Sequence, residues 1–228
     1  VPPKGYWDRV QEICKKYDVL LIIDEVVCGM GRTGSWFGYQ HYGVQPDIVT
    51  MAKGVASGYA AISCTVTTEA LFNEFKTAPD EPLSYFRDIS TFGGCTAGPA
   101  AAIENMNILK EENLLENTTA MGNYMLEQLE GLKAKHDIIG DVRGKGLFLG
   151  AELVTDRATK ETVHESVTQA IVADCFKNNA VVVGATNRSL KGFNNTLCFS
   201  PALIATKDDI DEIISAVDGA VGRVSAAQ

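Results

Sequence analysis

The sequence predicts an α/β fold followed by a smaller α+β domain, and three observations support this prediction. Residues 5–17 place apolar side chains at helical spacing, and a continuous apolar run at residues 19–23 follows directly. A run of this length suits a strand that is buried on both faces, as in a parallel sheet. Residues 47–51, which read DIVTM, predict a second buried strand. After residue 136, short apolar segments alternate with helical patterns, which is typical of a separate α+β unit.

We therefore predict a partial large domain at residues 1–135 and a small C-terminal domain at residues 136–228. The other elements of the first domain are a loop at 28–46, a strand at 60–66, a helix at 67–76, a loop at 77–97 and two helices within 98–135 that break near 112–115. Those of the second domain are strands at 136–142, 146–154, 180–183 and 195–199 and helices at 161–178 and 206–224.

Composition narrows the class of protein. The 228 residues carry a net charge of −9, and an acidic surface repels phosphate backbones, so nucleic acid is not an expected partner. No apolar run approaches the roughly 20 residues of a membrane span, and no basic-then-apolar leader is seen. The six cysteines form no C-x-x-C pair and the three histidines lie far apart, which favours reduced, buried thiols in a cytoplasmic protein without a metal site. The start at Val1-Pro2-Pro3 is typical of the interior of a longer chain.

Residues 29–34 read GMGRTG, which matches the G-x-G-x-x-G pattern of dinucleotide sites. In that pattern the last glycine opens a helix, and an acid further on, here Asp47, binds the ribose. The continuation SWFGYQHYG is a poor helix, and Asp24 and Glu25 would bring two carboxylates close to the pyrophosphate. A glycine-shaped loop near a ligand is therefore favoured, and an NAD-dependent dehydrogenase is kept as an alternative.

Asp24 ends one predicted strand and Lys53 follows another. Ligands of open α/β sheets bind at the carboxyl ends of strands. A lysine there could form a Schiff base with pyridoxal phosphate (PLP), and an aspartate could keep the pyridine nitrogen protonated. From spacing alone this signal is weak, and a structural salt bridge of Asp24 with a cation is the favoured explanation.

The segment LLIIDEVVCGMGRTGSWFGYQHYGVQPDIVTMAKGVASGY resembles the fold-type I, class III PLP-dependent aminotransferases, and the resemblance extends over essentially the whole chain. It implies the C-terminal half of the large PLP-binding domain, a mostly parallel sheet with helices, plus the small α+β domain. It also implies that Lys53 is the Schiff-base lysine, that Asp24 pairs with the pyridine nitrogen and that Val26 packs on the ring. Thr91 of the STFGG segment would reach the cofactor phosphate of the other subunit, so a homodimer or larger homo-oligomer with shared active sites is expected.

The resemblance assigns further roles. Arg188 matches an arginine that binds the acid group of the substrate, whereas Arg143 is interpreted as packing or turn structure and Glu25 as a hydrogen-bonding partner behind the site. The segments SYFRDISTFGGCTAGPAAA and GFNNTLCFSPALIAT are similar to the taurine–pyruvate aminotransferase group, with β-alanine or other ω-amino acid:pyruvate transaminases as the alternative. The implied reaction moves an amino group from an ω-amine donor such as taurine to pyruvate.

The missing initiator methionine leaves another alternative, an inactive fragment that acts only as a structural or interaction module. In relatives a Gly-Ser turn and a ring-stacking aromatic lie upstream of the D-E-V segment. We therefore expect residues 1–228 alone to bind PLP poorly, and to leave a sheet edge and an apolar face uncovered.

Overall fold

In the computed structural model of the protein, residues 1–76, 86, 89–187 and 190–226 are described. The chain divides into two compact units, one formed by residues 2–113 and one that begins at Leu114. Each unit has its own sheet. The two are described separately below.

The first unit contains a three-stranded mixed sheet of order β1-β2-β3. β1 runs parallel to β2, and β3 runs antiparallel to β2, so the predicted parallel pairing of the first two strands is confirmed. Thr68 begins α2 with its hydroxyl accepting a hydrogen bond from the Leu71 N–H. The elements are α1 (Tyr6–Tyr17), β1 (Ile22–Asp24), a 3₁₀ helix (Gly38–Tyr42), β2 (Ile48–Met51), a 3₁₀ turn (Lys53–Val55), β3 (Cys64–Thr67), α2 (Glu69–Asn73) and α3 (Ala97–Glu111).

The prediction that the first apolar run is buried on both faces is wrong for the described chain. Only Ile23 of β1 is buried, whereas Leu20 is 52% exposed and Ile22 is 57% exposed. β1 lies at the edge of the three-stranded sheet, and the described residues cover one of its faces. The third strand is also shorter than predicted, since regular pairing begins only at Cys64.

The second unit is built on an antiparallel sheet of order β4-β5-β8-β7, with β6 paired to β5. Helix α4 packs on β4 and on α6, and α5 packs on α6. These helices close the core, in which Leu129, Leu153, Ile171 and Val217 are fully buried. The elements are α4 (Leu114–Lys135), β4 (Ile139–Lys145), β5 (Phe148–Asp156), β6 (Glu161–Thr162), α5 (Glu165–Asn179), β7 (Gly184–Ala185), β8 (Thr196–Phe199) and α6 (Lys207–Ala226).

The whole of α4 belongs to the second unit. Its buried residues Met125, Leu129 and Leu132 are part of the core that includes β4 and β5. The division therefore falls between Asn113 and Leu114, earlier than the boundary between residues 135 and 136 expected from the sequence. The expectation placed α4 with the preceding helix because a helical pattern alone does not say which sheet the helix packs against.

The six cysteines are free thiols, but the expectation that they are buried holds only for Cys175. Burial raises the pKa of the Cys175 thiol to about 11, which keeps it protonated at neutral pH. Cys95 is exposed, and the other four are half-buried. None of the helices in the described ranges is long and apolar enough to cross a membrane.

Helix α4 approaches the turn between β4 and β5 so closely that position 122 must be glycine. A Cβ on Gly122 would lie 2.6 Å from the Cα of Gly146 and closer still to its carbonyl group. Both partners at this contact are backbone atoms, which cannot move aside as a flexible side chain would. The helix and the sheet of this unit are therefore held at a distance that only a hydrogen at position 122 permits.

Gly122→Ala should lower the free energy of unfolding by about 3 kcal/mol, because the methyl group overpacks a rigid contact. Gly131→Ala on the same helix is the control, since no atom beyond its chain neighbours and the backbone of its own helix lies within 4 Å of the added Cβ. It should raise stability by about 0.5–1 kcal/mol through helix propensity alone. Urea unfolding of both variants in the full-length gene product measures the difference, and equal effects would contradict the close contact.

Candidate active site

The structure places Asp24 and Lys53 at the carboxyl ends of adjacent parallel strands. Asp24 is the last residue of β1 and pairs with Thr50 of β2, and Lys53 begins the 3₁₀ turn just past β2. Both residues are exposed, so each can contact a bound molecule. An acid and a primary amine are thus displayed at the edge of the sheet where α/β proteins bind their ligands.

The backbone of Lys53 is strained. Its φ is +42°, in the left-handed region that side-chain-bearing residues rarely adopt, and it follows an extended Ala52 with φ −158° and ψ −147°. Such a conformation costs about 1–3 kcal/mol and persists only where the surroundings impose it. The chain therefore turns sharply at the lysine itself, and this turn sets the direction in which the side chain leaves the backbone.

Residues 29–34 form a tight loop rather than the start of an α-helix. Met30 and Gly31 have positive φ values of 56° and 88°, and the Met30 N–H donates to the Trp36 carbonyl. The next element is the 3₁₀ helix Gly38–Tyr42, so the helix that a dinucleotide fingerprint needs does not follow these glycines. Asp47 was the candidate ribose ligand of the dinucleotide alternative. Its carboxylate accepts a hydrogen bond from the Leu21 N–H at 2.7 Å, so it is bonded to the backbone of the protein.

Glu25 is a buried carboxylate that anchors the aromatic segment after this loop. It is 3% exposed and accepts hydrogen bonds from the N–H groups of Gly38 at 2.9 Å and Tyr39 at 2.8 Å. These bonds place the negative charge at the first turn of the 3₁₀ helix, where free N–H groups favour it. The rings of Phe37 and Tyr39 stack beside it, 5.5 Å apart and 7° from parallel. The interpretation of Glu25 as a hydrogen-bonding partner agrees with this arrangement.

The charges of Glu25 and Asp24 also affect the pKa of the Cys28 thiol. Burial raises the pKa of Cys28, and the charges of Glu25 and Asp24 raise it further. A thiol with a raised pKa is a weak nucleophile at neutral pH. The Cys28 thiol is therefore mostly protonated at neutral pH.

The other candidate residues are placed differently. Val26 is half-buried, and its N–H donates to the Asp24 carboxylate at 2.9 Å, which fixes the orientation of that carboxylate. Thr91 is exposed in a turn before α3. Arg188 lies outside the described residues. Arg143 bonds to Asp141 at 2.6 Å and to Glu152 at 2.7 Å within the β4–β5 pair, which is consistent with a structural role.

Sequence reasoning missed Asn105 of α3. Its side-chain amide nitrogen donates to the carbonyl oxygens of Gly54 at 2.8 Å and Val55 at 3.1 Å, the two residues that follow Lys53. No motif marks this asparagine, and its partners are backbone atoms some fifty positions earlier in the chain. The only signal that the sequence offers is an asparagine within a predicted helix. The structure shows that this position is half-buried.

The Aminotransferase class-III family model matches residues 1–221, and the chain belongs to this family. It is 68% identical to the hypotaurine/taurine–pyruvate aminotransferase of Paracoccus denitrificans over 99% of its own length and 49% of that protein. It is 64% identical to the taurine–pyruvate aminotransferase of Rhodobacter capsulatus, again over 99% of this chain and 49% of the relative. The chain thus spans about half the length of the curated relatives it matches.

Solved structures agree with the family. An aminotransferase of Bacillus anthracis superposes with a TM-score of 0.93 at 39% identity, over 98% of this chain and 49% of that one. An amine transaminase from an uncultivated Pseudomonas species, solved in its PLP-bound internal aldimine form, superposes with a TM-score of 0.88 at 31% identity. It too is matched over 98% of this chain and 49% of its own length. The predicted α/β fold of a PLP-dependent transferase is therefore confirmed.

Glu25→Gln should free the aromatic segment, because the amide NH₂ would face a backbone N–H where the carboxylate accepted a bond. The loss of one charge-assisted bond predicts a decrease of about 2 kcal/mol in local stability. Amide hydrogen exchange at Gly38 and Tyr39 of the full-length gene product should become faster. Glu12→Gln, at an exposed carboxylate of α1, is the control and should leave both amides unchanged. Unchanged protection in Glu25→Gln would contradict the anchoring role.

Proposed function

We propose that the full-length protein catalyses PLP-dependent transamination and transfers an amino group from an ω-amine donor, taurine in the first instance, to pyruvate. One observation carries the proposal: an exposed acid and an exposed lysine, Asp24 and Lys53, end adjacent parallel strands. The names of the relatives that are 64–68% identical support the choice of taurine and pyruvate. The reaction partners are then small molecules, an amine and a keto acid.

The residues present fit pyridoxal phosphate. When bound, this cofactor acts as an electron sink that stabilises negative charge on the carbon next to the amino group. The Asp24 carboxylate, oriented by the Val26 N–H, would hold a proton on the pyridine nitrogen. Lys53 would attach the cofactor through its amine and, once released, would move a proton at the reacting carbon as general base and then as general acid. Val26 would contact one face of the ring.

Two further residues complete the proposal. Thr91 would bind the cofactor phosphate of a second copy, so the active protein would be a homodimer with shared sites. Arg188 would bind the acid group of pyruvate or the sulfonate of taurine, because the planar guanidinium offers two parallel hydrogen bonds to such groups. A cytoplasmic location goes with this function, since its substrates are soluble metabolites.

Borohydride reduction of the full-length gene product with PLP should label Lys53, and Lys53→Ala should abolish both the label and turnover. Peptide mapping locates the label, and alanine formation from pyruvate measures turnover. Lys4→Ala, at an exposed lysine outside the site, is the matched control and should behave as the native protein does. A label on any lysine other than Lys53 would overturn the assignment.

Asp24→Asn keeps the size of the side chain but removes the charge that would hold the pyridine proton. We expect turnover to fall about 1,000-fold or more, which corresponds to roughly 4 kcal/mol of transition-state stabilisation. Asp18→Asn is a suitable control, because Asp18 ends α1 in a left-handed conformation that asparagine also tolerates. Turnover near the native level in Asp24→Asn would refute the role of this carboxylate.

A further inference from the structure

Asn105 contacts the two residues after Lys53 and no catalytic role has been given to it above. Its amide nitrogen bonds to both the Gly54 carbonyl and the Val55 carbonyl. Since only an N–H can donate to a carbonyl oxygen, the two partners also fix which end of the amide faces the turn. A single side chain from α3 thus bonds to the carbonyls of two successive peptide units in the turn that follows the lysine.

The backbone of the turn also bonds to the Gly54 carbonyl, through the Ala56 N–H and the Ser57 N–H. The Ser57 N–H reaches the Gly54 carbonyl only at 3.4 Å, longer than the 2.8 Å bond from Asn105. Gly54 also packs against Met30, whose Cβ would lie 3.2 Å from a Cβ added at Gly54. Val55 is 2% exposed, so its carbonyl lies in a region where an unpaired polar group is costly. Asn105 and Met30 therefore both restrict the position of Gly54.

The strained residue is the one directly before this clamp. Lys53 keeps a φ of +42° although an amine-bearing side chain gains nothing from that conformation by itself. If the two peptide units that carry the Gly54 and Val55 carbonyls were free to rotate, the turn could rearrange and Lys53 could relax to an ordinary backbone conformation. Its side chain would then leave the backbone in another direction. The bonds from Asn105 oppose that rotation.

We propose that Asn105 is a positioning residue for Lys53: by holding the Gly54 and Val55 carbonyls, it keeps the lysine in its strained conformation and aims the amine at the cofactor. This inference rests on the proposed function, because it assumes that Lys53 attaches PLP. Asn105 itself touches neither cofactor nor substrate in this account. Its effect is transmitted through the backbone of the turn.

The test measures how fast Lys53 becomes attached to added PLP in the full-length gene product, by borohydride trapping at timed intervals and peptide mapping. In Asn105→Asp the added carboxylate oxygen would face two carbonyl oxygens, and in Asn105→Ala the clamp is absent. A misplaced amine should react about 10-fold to 100-fold more slowly. The unfolding temperature of Asn105→Ala should stay within a few degrees of the native value, so that a slower reaction is not explained by unfolding.

Asn107→Asp is the matched control, because Asn107 lies on the same helix, is exposed and bonds only to Glu104 at 3.4 Å among the contacts described. Native trapping rates in both Asn105 variants would overturn the proposal. So would a loss of trapping that merely follows the loss of folded protein in each variant, or an equal loss in Asn107→Asp. If Asn105→Asp does not fold, Asn105→Ala decides alone. A label on a different lysine in the native protein would instead refute the proposed function, so the two failures are distinguishable.

Discussion

Backbone hydrogen bonds between β1 and β2 decide which side chains of the first unit can act together. The parallel register pairs Ile22 with Ile48 and Asp24 with Thr50, so both strands end at the same edge of the sheet. Antiparallel pairing would place Asp24 and Lys53 at opposite ends of the strands, where they could not contact the same ligand. The Glu25 N–H continues the ladder by donating to the Thr50 carbonyl at 2.8 Å. The chain therefore leaves β1 and β2 at the same end of the sheet.

Three restraints shape the loops beyond these strand ends. The buried Glu25 carboxylate holds the segment at Gly38 and Tyr39, the Val26 N–H orients Asp24, and Asn105 holds the turn after Lys53. Each is a bond between a side chain and the backbone, and such bonds fix direction better than packing does because hydrogen bonds depend on angle. The loops that carry the exposed Asp24 and Lys53 side chains are therefore held in defined directions by hydrogen bonds.

The sequence predicted the helices and strands better than it predicted what packs against them. The break between two helices near residues 112–115 is confirmed by α3 and α4, because the helical pattern is interrupted there. The burial of β1 on both faces was predicted wrongly, since an apolar run does not reveal how much of its partner surface the same chain supplies. Asp24 and Lys53 could be found because they lie at strand ends. Asn105 could not, because its partners are carbonyl groups that every residue carries.

The contact of Gly122 with the turn at Gly146 has a consequence for how this family can vary. A side chain at position 122 would overlap the backbone of Gly146. The β4–β5 turn would then have to follow another path in the same protein. A side chain at position 122 with the present turn is therefore expected to cost stability. In an alignment of relatives, a residue larger than glycine at 122 should therefore coincide with a turn of altered length or composition around 146.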